Sequence, residues 1–272
     1  MTTVTRTTLP TPDGEVVLNC YGRPNVPYKI VCIHGWTLDQ RSFMHQRELA
    51  SQHYAIYTYD RRGFGSNNAL PSFDDDLRDL STIVSTLGRG VILFGVSQGA
   101  RLALRYGAAK PDTLAGMILQ GGVVDGLEVP MDAREAIPFE HFSELVQKGL
   151  IDQLHSEWLT HPMLIGGLTE PQRAELAELV KNWTGRDLVT PNALPTQIDI
   201  TEAINNITVP VLLLTGDHET PSRQTHAHYL QRKIHADFVC IPDAGHLVNW
   251  SHSAQANVAI AQWLGSHFPW NE

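Results

Sequence analysis

The pentapeptide Gly95-Val96-Ser97-Gln98-Gly99 sets a serine between two glycines, directly after the apolar run Val91–Phe94 and directly before the helix-forming stretch Ala100–Tyr106. A strand, a tight turn and a helix in that order hold a serine hydroxyl at the top of a sheet in a strained backbone, with Gly95 and Gly99 leaving room for neighbouring chain. Such a hydroxyl is a poor nucleophile until a base takes its proton, and the base needs a carboxylate to fix its tautomer and stabilise its charge. Both partners lie downstream. Val209–Leu214 reads as a short buried strand that runs into Thr215-Gly216-Asp217-His218-Glu219-Thr220-Pro221, a turn with two carboxylates. A further strand, Phe238–Pro242, delivers Asp243-Ala244-Gly245-His246. His246 is the candidate general base, and then general acid to the leaving group, with Asp217 or Glu219 behind it.

Groups spread from residue 97 to 246 need a sheet to bring them together. Val4–Thr7 and Glu15–Tyr21 suit an antiparallel edge pair with its turn at Thr11-Pro12-Asp13-Gly14, and Lys29–Ile33 and Ala55–Tyr59 are short runs of the kind buried in parallel sheets. Phe43–Ser51 and Asp74–Leu87 have helical character, and Asp74-Asp75-Asp76 reads as charge favourable to a helix N-terminus rather than as a metal site. After Thr113–Leu119, the sixth strand, the alternation stops. Residues 125–200 read mostly as helices, at Glu140–Leu150, Asp152–Leu159 and Glu170–Trp183, before strands resume at Val209.

The order serine, acid, histidine is that of the α/β-hydrolase fold. Together with His34-Gly35-Trp36 and Tyr59-Asp60-Arg61-Arg62-Gly63-Phe64-Gly65-Ser66, it makes the chain resemble α/β-hydrolases of the esterase, carbon–carbon hydrolase and cofactor-free haloperoxidase group. The resemblance implies an α/β architecture, a mostly parallel eight-stranded sheet flanked by helices, with a core of residues 1–124 and 201–272 and a helical cap at 125–200. It favours Glu219, three residues after Gly216, as the acid. Asp217 stays in play because a glutamate is the less usual choice there. The backbone N–H groups of Trp36 and Gln98 would form the oxyanion hole, a contribution of about 3 kcal/mol per donor. The Trp36 ring would lie on the pocket wall or pack beneath the cap. Phe139, Trp158 and Trp183, with Met163 and Phe142, would roof the substrate. No cofactor or metal is implied.

The remaining histidines have plainer roles. His34 would hold backbone beside the oxyanion loop, and His218 would sit at the surface. His226, His228 and His235 lie in a helix-like segment, where the Thr225-His226-Ala227-His228 spacing puts a pair on different faces, unsuited to one metal. His141, His155 and His161 in the cap are within reach of substrate.

The expected activity is therefore that of a serine hydrolase cleaving an ester-like or activated-ketone carbonyl through an acyl-enzyme, on a small apolar or aromatic substrate. The alternative is a cofactor-independent dioxygenase of the same fold acting on 3-hydroxy-4-quinolone-type heterocycles with His246 as base. That group's dyad aspartate follows the sixth strand, where this chain has Gln120-Gly121-Gly122, and Val96 or Gln98 replaces its histidine beside the elbow serine. A non-catalytic receptor would not need all three groups, and serine at the elbow disfavours haloalkane dehalogenase and epoxide hydrolase chemistry. With 20 Lys and Arg against 29 Asp and Glu among 272 residues, a net charge of −9, nucleic acid is not an expected partner. No run approaches the roughly 18 apolar residues of a membrane span. The Met1–Arg6 segment lacks a secretory apolar core, so the expected location is cytoplasmic. Cys20, Cys32 and Cys240, in or beside strands, are expected to be reduced and buried.

Overall fold

A computed structural model describes residues 4–11 and 14–269. The chain opens with β1 (Val4–Thr11) and β2 (Gly14–Tyr21), paired antiparallel with Thr11 opposite Gly14. Pro12 and Asp13 of the expected turn lie outside the described residues. Six strands follow: β3 (Tyr28–Ile33), β4 (Tyr54–Thr58), β5 (Val91–Val96), β6 (Gly116–Gln120), β7 (Val211–Gly216) and β8 (Asp237–Ile241). They form one eight-stranded sheet in the order β1-β2-β4-β3-β5-β6-β7-β8. Strand β2 is antiparallel to both β1 and β4, and every pairing from β4 to β8 is parallel. Every residue of β4, β5, β6 and β7 is buried, which is why these strands read as unbroken apolar runs rather than alternating ones.

Helix α1 (Phe73–Leu87) begins at Ser72, whose side chain accepts from the Asp75 amide at 3.2 Å. Asp74 and Asp75 sit in its first turn as expected, whereas Asp76 turns inward and pairs with Arg61. Helix α2 (Gln98–Ala109) starts immediately after Ser97. Between β6 and β7 lie α3 (Phe139–Gln147), α4 (Ile151–Trp158), α5 (Pro162–Ile165), α6 (Glu170–Val180) and α7 (Arg186–Val189). Then come α8 (Pro221–Lys233) ahead of β8, and α9 (Val248–Ser251) and α10 (Ser253–His267) after it. Among the described residues no helix is long and apolar enough to cross a membrane.

Two expectations need correction. The segment Phe43–Ser51 is not one helix: Gln40–Phe43 and Gln46–Leu49 are separate 3₁₀ turns. The first turn starts ahead of the segment, where Asp39 caps it by accepting the Arg41 amide at 2.9 Å and Asp60 takes the Gln40 amide at 2.9 Å. Cys20 and Cys32 are buried, but Cys240 is exposed, because β8 is the last strand of the sheet and only its final residue is buried.

Buried side chains form two clusters. One contains Val31, Leu93, Leu102 and Leu213. The other contains Ile30, Phe94 and Leu212 and runs without a break into Phe142, Leu154, Leu176 and Trp183. The helices between β6 and β7 thus share a core with the sheet.

Candidate active site

Ser97 stands between β5 and α2 with φ 54° and ψ −115°, a conformation that a residue with a Cβ adopts only when its surroundings impose it. The imposition is visible in the flanking glycines. A Cβ on Gly95 would stand 2.5 Å from the Gly99 carbonyl oxygen, and one on Gly99 would stand 2.0 Å from the Ile33 carbonyl oxygen. The Ser97 amide donates to the Gln120 carbonyl at 2.7 Å, which locks the turn onto β6.

The turn after β7 and the loop after β8 bring Glu219 and His246 together. His246 Nδ1 lies 2.6 Å from Glu219 Oε2, with both side chains almost wholly shielded from solvent. Glu219 Oε1 accepts from the Thr220 amide at 2.7 Å. Burial alone would raise the Glu219 carboxyl, but the His246 ring beside it and the Thr220 N–H hold it below the usual carboxylate value. His246 is fixed from behind by Gln120, whose side-chain amide donates to the His246 carbonyl at 2.9 Å. Its Nε2 is buried with no hydrogen-bond partner among the described residues. Asp217 is exposed and clusters with His218 and Asp243 instead, their potential ligand atoms within 4.8 Å of one another. The carboxylate position after β6 that a dioxygenase dyad would use is closed. A Cβ on Gly121, at φ +62°, would lie 2.4 Å from His246 Cε1.

The loop after β3 approaches the same place. A Cβ on Gly35 would touch Ser97 Cβ at 3.4 Å. Neither the Trp36 nor the Gln98 amide donates to a protein acceptor among the described residues, as required of groups kept for a developing oxyanion. His34 braces this loop as expected: its Nδ1 is 2.8 Å from the Gly35 carbonyl oxygen and its Nε2 accepts from the Arg61 amide at 2.9 Å. Burial, then the Arg61 charge, lower its pKa to about 4. The role of Arg61 is not evident from its motif. Its guanidinium donates to the His34 carbonyl at 3.2 Å and to the Gln98 side chain, while Asp76 balances its charge at 3.0 Å. One buried cation therefore ties together both arms of the candidate oxyanion hole.

Ser97, His246, Trp36 and Gln98 all line one cavity of about 330 Å³. Phe139, Trp158 and Met163 form part of its wall, together with Ile137 and Leu164. Trp183 and Phe142 do not: both are buried and stand behind the wall residues, so the structure gives neither a direct place against substrate. The Trp36 ring does both things the sequence left open, since it lines the cavity and packs edge-on against Trp158 and Trp183 at 5.0 Å each. Sequence reasoning missed Asp187 entirely. Its buried carboxylate accepts from Trp36 Nε1 at 2.5 Å and from Trp183 Nε1 at 2.8 Å, and burial raises its pKa. Trp158 Nε1 adds a second tie, donating to Thr37 Oγ1 at 2.8 Å.

Among the other histidines, His155 bonds the Trp183 carbonyl, His161 caps α5 through the Met163 amide, and His141 meets Glu157 at the surface. None of these three is on the cavity wall. His226 is buried in α8 and accepts from the Val124 amide, and His228 is exposed on the same helix.

The chain is 26% identical to a Synechocystis sp. protein named as a non-heme chloroperoxidase, over 86% of this chain and 90% of that one. It is 25% identical to a 2-succinyl-6-hydroxy-2,4-cyclohexadiene-1-carboxylate synthase of Salmonella agona, over 89% and 96% of the two chains. Its fold matches that of a bromoperoxidase from Bacillus anthracis with a TM-score of 0.78 at 21% identity, covering 96% of this chain and 99% of the other. A model of the Alpha/beta hydrolase family matches residues 30–260, and the chain accordingly belongs to that family.

Proposed function

We propose that the protein is a serine hydrolase that cleaves an ester-like or activated-ketone carbonyl through an acyl-enzyme. The observation that carries this reading is the buried 2.6 Å pairing of His246 Nδ1 with Glu219, on a histidine that shares a cavity with the strained Ser97. In this mechanism His246 Nε2 accepts the Ser97 proton as the hydroxyl attacks. Glu219 holds the ring in the tautomer that leaves Nε2 free and stabilises the imidazolium that forms. The Trp36 and Gln98 amides receive the oxyanion, and His246 returns the proton to the leaving group. Water, deprotonated by the same histidine, then releases the acyl group. The Ser97–His246 hydrogen bond forms as substrate binds, since such contacts are commonly loose in free enzymes and tighten in the complex. The helices of residues 125–200 serve as the cap, contributing apolar wall from Phe139, Trp158 and Met163. The names of the relatives, a synthase and haloperoxidases, are compatible with this apparatus and leave the bond that is cleaved to experiment.

The test is intact-mass spectrometry after fluorophosphonate treatment of wild type and Ser97→Ala, with turnover of p-nitrophenyl acetate and butyrate. One adduct in the wild type, absent in the variant and accompanied by turnover, is the expected result. Absence of both would overturn the nucleophile assignment, and oxygen consumption with 3-hydroxy-4-quinolones would be measured next.

A further inference from the structure

The cavity beside Ser97 carries charge that the reaction above does not use. Among the described residues that line it are two arginines, Arg101 on α2 and Arg223 on α8, and no Asp or Glu. This lining contrasts with a whole-chain net charge of −9. Arg101 pairs with Asp125, but the same carboxylate also takes Arg105 Nε at 2.6 Å, so one negative charge serves two positive ones. Arg223 has less. Its Nε is buried with no hydrogen-bond partner among the described residues. The two acids close enough to act on its charge are engaged elsewhere: Glu219 with His246 and the Thr220 amide, Glu135 Oε2 with Ser222. Glu135 Oε1 is likewise buried with no hydrogen-bond partner among the described residues. Burial, and then the Arg101 charge, push Arg223 below the usual guanidinium value. Burial followed by the Arg223 charge likewise brings His226 down to about 4. A partly desolvated cation without its anion is costly, and a guanidinium is suited to bidentate capture of a carboxylate.

We propose that the cavity takes a substrate whose acyl chain ends in a carboxylate, held at Arg223 with Arg101 beside it while the carbonyl lies at Ser97. This rests on Ser97 as the nucleophile and narrows the apolar or aromatic substrate to one with an apolar middle and an anionic end. The probes are mono-p-nitrophenyl adipate and its neutral match, p-nitrophenyl hexanoate. Binding is measured by calorimetry on Ser97→Ala, which cannot turn over, and kcat/KM on the wild type. The anionic ester is expected to bind Ser97→Ala at least about tenfold more tightly, with a similar preference in kcat/KM. Adding Arg223→Gln should bring both ratios within about twofold of unity, Arg223→Lys should retain part of the preference, and Glu135→Gln should leave it intact. Equal binding of the two esters to Ser97→Ala, or a preference that survives Arg223→Gln, would overturn the proposal and leave Arg223 as a structural neighbour of Glu135. A binding preference without wild-type turnover of either ester would instead strike at the nucleophile assignment.

Discussion

Asp217 and Glu219 stand two residues apart on one turn, and only Glu219 reaches the imidazole. Glu219→Gln should therefore lower kcat for p-nitrophenyl butyrate by about 10²- to 10⁴-fold, because an amide can favour the wrong histidine tautomer while preserving the contact. Asp217→Asn, at an exposed site, should stay within about threefold of wild type. Equal losses from the two would remove Glu219 from its role. Gly121→Ala is a sharper probe of the same histidine, since the added methyl would overlap the ring at 2.4 Å. It should cost at least about tenfold in kcat while far-UV circular dichroism stays native. The Ser97 elbow and His246 were legible in the sequence because a short motif and its flanking strand specify them locally. Glu219 was favoured over Asp217 only through the family resemblance, which left both open. Asp187 and Arg223 were not legible, since each acquires its meaning from contact with residues far away in the chain: 151 positions separate Trp36 from Asp187.

At the scale of elements, α7 reaches the loop after β3 through one carboxylate. Asp187 accepts an indole N–H from each side, whereas an asparagine there has a single oxygen to offer, leaving a buried donor facing an amide NH₂. Asp187→Asn should destabilise the fold by about 1–3 kcal/mol in urea unfolding. It should also lower kcat several-fold if the Trp36 amide receives the oxyanion as proposed. A loss of stability with kcat unchanged would confine Asp187 to packing. Helices α3, α4 and α6 were visible in the sequence as helical stretches and the strands as apolar runs, whereas α7, which carries Asp187, was not. The segment Phe43–Ser51 was misread because periodicity cannot register the Asp39 and Asp60 carboxylates that bind the Gln40 and Arg41 amides and start a 3₁₀ turn ahead of it. Cys240 was misread because strand order, and hence which strand is the edge, is a property of topology rather than of local sequence.

For the whole molecule, acid should be destabilising. His34 and His226 titrate near 4 in the folded chain because burial disfavours their cations, against an ordinary value of 6.5. Their folded pKa values are depressed, so the unfolded chain binds more protons between the two values and stability falls as pH drops from about 6.5 to 4. Each contributes at most about 1.4 kcal/mol per pH unit in that window. Glu219, also depressed, adds a loss below its ordinary value, whereas Asp76 and Asp187, raised by burial, act in the opposite sense above 3.8. Unfolding free energies measured from pH 7 to 4.5 should decline, and His226→Gln should flatten the slope. An unchanged slope would mean that His226 is protonated in the native state. The elbow bears on the same global quantity from another side. A side chain at φ 54° and ψ −115° sits about 1–3 kcal/mol above a relaxed one, a cost that glycine escapes. Ser97→Gly should then melt higher than Ser97→Ala, and by enough to be seen in calorimetry even after glycine's greater freedom in the unfolded chain is counted. Part of the folding free energy gained across the eight strands is thus held at one residue, and the glycine variant would be the more durable of the two.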